Sequence, residues 1–134
     1  MTKKDKESWS KRKDAESAGF EPKPWRGVRM HSNNTLKHEH AKFALCWVLD
    51  EMGRDWDTEV TCDTGRVDVF DFGPEDGAPV IYEIETGVTD SRKREKVNQY
   101  MLGPIRDVIV VNPADVPSDI EEAVEYFAQN VVIG

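Results

Sequence analysis

Six consecutive residues, Val80-Ile81-Tyr82-Glu83-Ile84-Glu85, constrain the fold of this chain more than any other stretch. Side chains alternate between the two faces of a β-strand. Ile81 therefore shares a face with Glu83, while Val80, Tyr82 and Ile84 share the other. Apolar residues on both parities mark a central strand covered on both sides, not an edge strand with one wet face. The chain must then supply a covering layer to each face of a sheet. Two acids sit in that strand, where burial disfavours charge.

A second apolar run, Arg66 to Phe72, carries Asp68 and is joined to the first by the turn stretch Gly73-Pro74-Glu75-Asp76-Gly77. If Arg66 to Phe72 and Pro79 to Thr86 pair as a hairpin, a turn centred on Glu75/Asp76 sets Asp68 opposite Glu83. A turn centred on Asp76/Gly77 sets it opposite Glu85. Opposed Cβ atoms are roughly 5 Å apart, and like charges at that distance repel by ~3 kcal/mol at an effective dielectric of ~20. Because 26 of the 134 residues are acidic, an acidic pair can arise as a merely solvated face. The apolar neighbours on both parities argue against that reading here. A divalent cation such as Mg²⁺ is the usual reason to assemble such a pair.

Around this hairpin the pattern predicts one α/β domain, in the order αβββαβα, with a mixed central sheet flanked by helices. Ser32-Asn33-Asn34-Thr35 supplies N-caps for a helix to about Met52, with Leu36, His40, Phe43 and Trp47, flanked by Ala44 and Val48, as its inward stripe and Glu39 at the stripe's edge. Strands follow at Thr58 to Cys62, Arg66 to Phe72 and Pro79 to Thr86, with a turn at Asp63-Thr64-Gly65. Asp90 or Ser91 caps a helix to about Leu102, with Val97, Tyr100 and Met101 inward and Arg92, Lys93, Arg94 and Lys96 near its start. Asp107 to Val111 is a buried strand. Ser118-Asp119-Ile120-Glu121 reads as a capping box opening a last helix with Ile120, Ala123, Val124 and Phe127 inward.

Residues 1 to 30 carry nine Lys/Arg against five Asp/Glu, a net of +4, and the remainder nine against twenty-one, a net of −12. The first 30 residues read as a basic, mostly flexible arm and 31–134 as the domain; the arm's isolated aromatics, Trp9, Phe20 and Trp25, either stack on bases or, the commoner fate in a tail, fold back on the domain. An acidic body repels nucleic-acid phosphates unless bound cations invert its local charge. There is no run of ~18 apolar residues to span a membrane, and the basic start lacks the apolar stretch of a secretory signal. The expectation is a soluble, intracellular (cytoplasmic) protein. Cys46 and Cys62 are too few for a disulfide framework. His38 and His40 are two apart on a helix and face different ways, which argues against zinc.

The Glu-bearing helix, the three-strand meander carrying Asp and then Glu-x-Glu, and the helix feeding a further strand resemble the PD-(D/E)xK, or restriction-endonuclease-like, nuclease superfamily, over about residues 34 to 128. The likeness is greatest to its small archaeal and viral members, whose motif strand ends in Glu-x-Glu-Thr. The resemblance implies a metal-dependent endonuclease that hydrolyses DNA with Mg²⁺ or Mn²⁺ held by Asp68, Glu83 and the carbonyl of Ile84. Asp68 in Val67-Asp68-Val69 matches the motif Asp, Glu83 the second acid, and Glu39 in Lys37-His38-Glu39 the first-helix Glu, which would act from outside the ligand shell or on a second metal. The family's Lys two residues after the second acid is Glu85 here. That leaves Glu85, or Lys96 from the following helix, to orient the attacking water, with Lys93 as the neighbouring candidate. Arg26, Arg29, Lys93, Lys96, Gln99 and Tyr100 are the expected nucleic-acid contacts, and dimerisation is an expectation by analogy alone. The rival expectations are a catalytically inactive module of this fold that binds DNA or a protein partner, and a structural adaptor that binds no metal.

Overall fold

The computed structural model of the chain describes residues 3–23, 27–74 and 77–132. Its elements are α1 (Lys3–Ser17), α2 (Leu36–Glu51), β1 (Trp56–Cys62), β2 (Gly65–Asp71), β3 (Val80–Ile84), α3 (Asp90–Tyr100), β4 (Asp107–Val111) and α4 (Ile120–Asn130), with a 3₁₀ turn at Pro113–Asp115. The four strands form one mixed sheet in the order β1-β2-β3-β4: β1, β2 and β3 are antiparallel neighbours, and β4 is parallel to β3. A parallel neighbour needs a crossover, and α3 provides it. All five residues of β3 are buried, as apolar groups on both parities require.

Each face of the sheet has its own core. Val69, Val80, Tyr82, Ile84 and Val111 pack with α2 and α4 through Ala41, Ala44, Leu45, Val48, Ala123 and Phe127. Val67, Phe70, Phe72, Ile81 and Val108 pack with Ala15, Phe20 and Tyr100 on the other side. The second core corrects the expectation of a flexible arm. Lys3–Ser17 is helical, Ala15 and Phe20 are buried, and the Phe20 ring meets Phe70 edge-on at 5.1 Å. Polar contacts fasten the segment: Lys11 Nζ donates to the carbonyls of Phe72 (3.0 Å), Pro74 and Gly77 (2.8 Å), and Arg12 pairs with Asp55 at 3.0 Å. Glu21 bridges to Thr61 beside β1. Phe70 and Phe72 need a cover on that face, and α3 alone is too short and too polar to supply it.

The inward face of α2 also differs from expectation. Leu36 (81 % exposed), Phe43 and Trp47 lie outside, and the buried face runs through Ala41, Lys42, Ala44, Leu45, Val48 and Leu49. The helix has apolar residues around most of its circumference, and its small residues allow close approach of α4 and the sheet, whereas Phe43 and Trp47 meet edge-on, ring centroids 5.8 Å apart, on the outer side. Smaller shifts affect the caps. Thr35 caps α2, Thr89 caps α3 and Asp119 caps α4, each accepting from a backbone amide three residues on. Met101 and Ile120, expected inward, are partly exposed at the helix ends. Among the described residues no helix is long and apolar enough to cross a membrane.

Candidate active site

The pairs Val69↔Tyr82, Phe70↔Ile81 and Asp71↔Val80 fix the hairpin register, and one step further Asp68 faces Glu83. There the ladder gives way to side chains. The Asp68 amide donates to Glu83 Oε2 at 2.9 Å, and the Ile84 amide donates to Asp68 Oδ2 at 2.8 Å, so each carboxylate replaces a strand carbonyl. The neighbouring strand is also irregular at this level. Glu59, the β1 residue between Thr58↔Val69 and Val60↔Val67, has φ 52, a left-handed conformation uncommon outside glycine. The alternation of faces breaks with it: Val67 and Val69, two apart on β2, join different cores.

From this step a line of charged side chains runs through the molecule. Lys96 Nζ of α3 lies 3.1 Å from Glu83 Oε1. His38 of α2 places Nε2 3.4 Å from Asp68 Oδ2 and Nδ1 2.9 Å from Glu39 Oε1. Glu39 Oε2 is 3.0 Å from Lys42 Nζ, which is 2.6 Å from Glu59 Oε1, and Glu59 Oε2 is 2.6 Å from Arg66 Nε. That last contact is close without being aligned as a hydrogen bond. Along the line Lys96, Glu83, Asp68, His38, Glu39, Lys42, Glu59 and Arg66, the sign alternates at every step but one when His38 is protonated. The exception is Glu83 beside Asp68.

The protonation of the pair reflects that defect. Burial, then the charge of Asp68, pushes the Glu83 carboxyl up from 4.5 to about 8. Asp68 moves the other way: burial opposes its charge, but hydrogen bonds from His38, Glu83 and the Ile84 amide hold it below the ordinary range. For His38, burial opposes protonation, and the hydrogen bonds and charges of Asp68 and Glu39 outweigh it, raising its pKa. Near neutral pH Glu83 therefore keeps its proton beside the ionised Asp68.

The other expected residues are distributed unevenly. Lys96 reaches the pair and Lys93 is simply exposed. Glu85 binds Arg92 Nε through Oε1 at 2.9 Å, while its Oε2 is buried without a hydrogen-bond partner. The Ile84 side chain is in the core. Tyr100 is buried and its hydroxyl donates to the Arg66 carbonyl at 3.0 Å, so it packs instead of facing solvent. Gln99 is tied to the β1–β2 turn through the Thr64 carbonyl. Arg29 is engaged with Asp57 and with the Thr58 carbonyl at 3.1 Å. Arg26 and Trp25 lie outside the described residues. Sequence reasoning missed His38, Lys42 and Glu59; the Glu39/Lys42 spacing of three on a helix was the one available signal.

Among the described residues no three His, Cys, Asp or Glu side chains stand together as a ready-made metal cage. The donor chemistry nonetheless fits a hard divalent ion, which takes one or two carboxylates plus water. The two carboxylates adjoin, each held by the backbone amide of the facing strand, and the buried Oε2 of Glu85, without a hydrogen-bond partner, lies two residues from Glu83. No family model, curated protein or solved structure matches the chain.

Proposed function

We propose that this protein is a Mg²⁺- or Mn²⁺-dependent endonuclease that hydrolyses DNA phosphodiester bonds, with the PD-(D/E)xK arrangement in the run α2-β1-β2-β3-α3-β4. The observation that carries the reading is the sign defect: the buried Glu83 and the half-buried Asp68 face each other across β3 and β2 in a network otherwise paired charge by charge. Each acid has a cation on its far side, Lys96 for Glu83 and His38 for Asp68, but nothing separates the two carboxylates from each other, and a shared cation would relieve their repulsion.

In this reading Asp68, Glu83 and the Ile84 carbonyl hold the cation. When bound, such an ion neutralises phosphate charge and lowers the pKa of a coordinated water. The chain's own residues do the rest. The Ile84 amide and His38 fix Asp68 Oδ2 from two directions, so Asp68 cannot rotate away. Lys96, with 15 % of its side chain exposed, stands beside Glu83 Oε1 and can donate to an attacking water or to a phosphate oxygen. Glu85 Oε2, buried and unpartnered, is the proton acceptor nearest in sequence, with Arg92 pinning the other oxygen of its carboxylate. The exposed Lys93 and Arg94, on the first turns of α3, offer the phosphate contacts that an acidic body otherwise lacks.

A panel of labelled DNA duplexes, flaps and junctions incubated with Mg²⁺, Mn²⁺ or EDTA tests this. Metal-dependent cleavage by the wild type, abolished in both Asp68→Asn and Glu83→Gln, is the expected result. Binding without cleavage under every condition supports the inactive DNA-binding module instead, and unchanged cleavage in both variants refutes the site.

A further inference from the structure

The fully buried Lys42 bears on the number of ions the network accepts, a question that rests on the metal reading above and extends it. Its ammonium has three N–H groups. Three oxygens receive them: Glu39 Oε2 at 3.0 Å, Glu59 Oε1 at 2.6 Å and the Arg29 carbonyl at 2.5 Å. Two carboxylates and a carbonyl are also the donors that hard divalent ions take. Glu39 has nothing left to offer, because its other oxygen receives Asn34 Nδ2 at 2.8 Å and meets His38 Nδ1 at 2.9 Å. The backbone is bent to the same end, with Glu59 at φ 52.

We infer that Lys42 is a built-in cation occupying the position between Glu39 and Glu59, so that the network accepts a divalent ion at Asp68 and Glu83 but not a second one at Glu39. The contrast with Lys96 supports this. Lys96 is partly exposed and has one carboxylate partner in Glu83, so it can swing aside for an incoming ion. Lys42 is 0 % exposed and cannot leave without opening the packing of α2 on the sheet. Arg66, more exposed, adds a further positive charge 2.6 Å from Glu59, so a second divalent ion would meet the fixed Lys42 and a neighbouring guanidinium instead of two free acids.

The test is Mn²⁺ stoichiometry by calorimetry, with electron paramagnetic resonance counting of bound ions, on the wild type and three variants. Lys42→Met keeps the stem's volume while removing the charge. It should bind one ion per chain more than the wild type, and the extra ion should disappear in Lys42→Met/Glu59→Gln. Glu39→Gln in the otherwise native chain should leave the wild-type stoichiometry unchanged, and it decides the matter if Lys42→Met does not fold. A folded Lys42→Met without the extra ion, an ion missing from Glu39→Gln, or two ions in the wild type would each overturn the inference. Should the wild type bind no Mn²⁺, the reading of Asp68 and Glu83 falls, while the difference made by Lys42→Met still reports on Lys42.

Discussion

Replacing Glu83 by Gln should abolish a pH dependence of stability that the wild type shows without divalent ions. In the unfolded chain Glu83 ionises near 4.5, while in the fold burial and the charge of Asp68 keep it protonated to about 8. Between those values the unfolded state binds fewer protons than the native state, so stability falls as pH rises, by about 1.4 kcal/mol per pH unit for one proton. The contribution is fully present below 4.5 and gone above about 8. From about pH 5.5 to about pH 8 the loss amounts to about 3 kcal/mol. Asp68 has a lowered pKa, so its opposite-signed contribution is lost as pH falls below the carboxylate range, outside this window. His38, with a raised pKa, stabilises the fold below its unfolded value near 6.5 and loses that contribution as pH rises, in wild type and variant alike. The difference between the two proteins therefore isolates Glu83. In Glu83→Gln the side-chain amide still accepts from the Asp68 backbone N–H and can donate to the Asp68 carboxylate, so the variant should be folded. Urea unfolding in EDTA across this range is the assay. A falling curve for the wild type and a flatter one for Glu83→Gln are expected, with Mg²⁺ restoring wild-type stability near pH 8. Parallel curves would mean that Glu83 ionises as an ordinary carboxylate and that its apposition to Asp68 creates no demand for a cation.

If Lys96 acts on the water or phosphate, Lys96→Ala should lower kcat by about 10²-fold or more with little change in DNA affinity; normal turnover in Lys96→Ala together with a dead Glu85→Gln would assign the role to Glu85. Phe20→Ala should destabilise the protein by roughly 3–5 kcal/mol through the cavity it opens against Phe70, measured by urea unfolding. A chain starting at Met30 should fail to fold cooperatively, whereas a stable truncation would show the α1 packing to be dispensable. Lys93→Ala/Arg94→Ala should flatten the log–log salt dependence of DNA binding by ~0.9 for each phosphate no longer neutralised, and an unchanged slope would remove α3 from the nucleic-acid surface.

The parts of the fold legible in the sequence are those with local signals. Residues 108–111 are a run of β-branched residues and are found within β4, although as a partly exposed edge strand and not the buried strand expected, and the two-sided burial of β3 follows from apolar residues on both parities. The Asp68–Glu83 apposition follows from turn length once one of two registers is selected. What is not legible depends on partners distant in sequence. Lysine is normally solvated, so nothing in residues 36–51 announces that Lys42 is buried; Glu59, on another element, makes it so. His38 gives no signal through its nearest histidine, which has the wrong spacing, because its partner is Asp68, thirty positions away on β2. The amino-terminal segment has few apolar residues and so reads as solvated, yet it docks through Ala15, Phe20 and the long-range polar contacts of Lys11 and Arg12. The inward face of α2 is misread when its large apolar residues are assigned to the core, since the small ones, Ala41 and Ala44, set the packing distance.

The most direct test of the central claim is a calorimetric titration of Mn²⁺ into the wild type and Asp68→Asn near pH 8, where Glu83 has given up much of its proton. Saturable binding in the wild type that is abolished or severely weakened in Asp68→Asn is the predicted result. Equal binding in the two proteins, or none in either at millimolar metal, would contradict it.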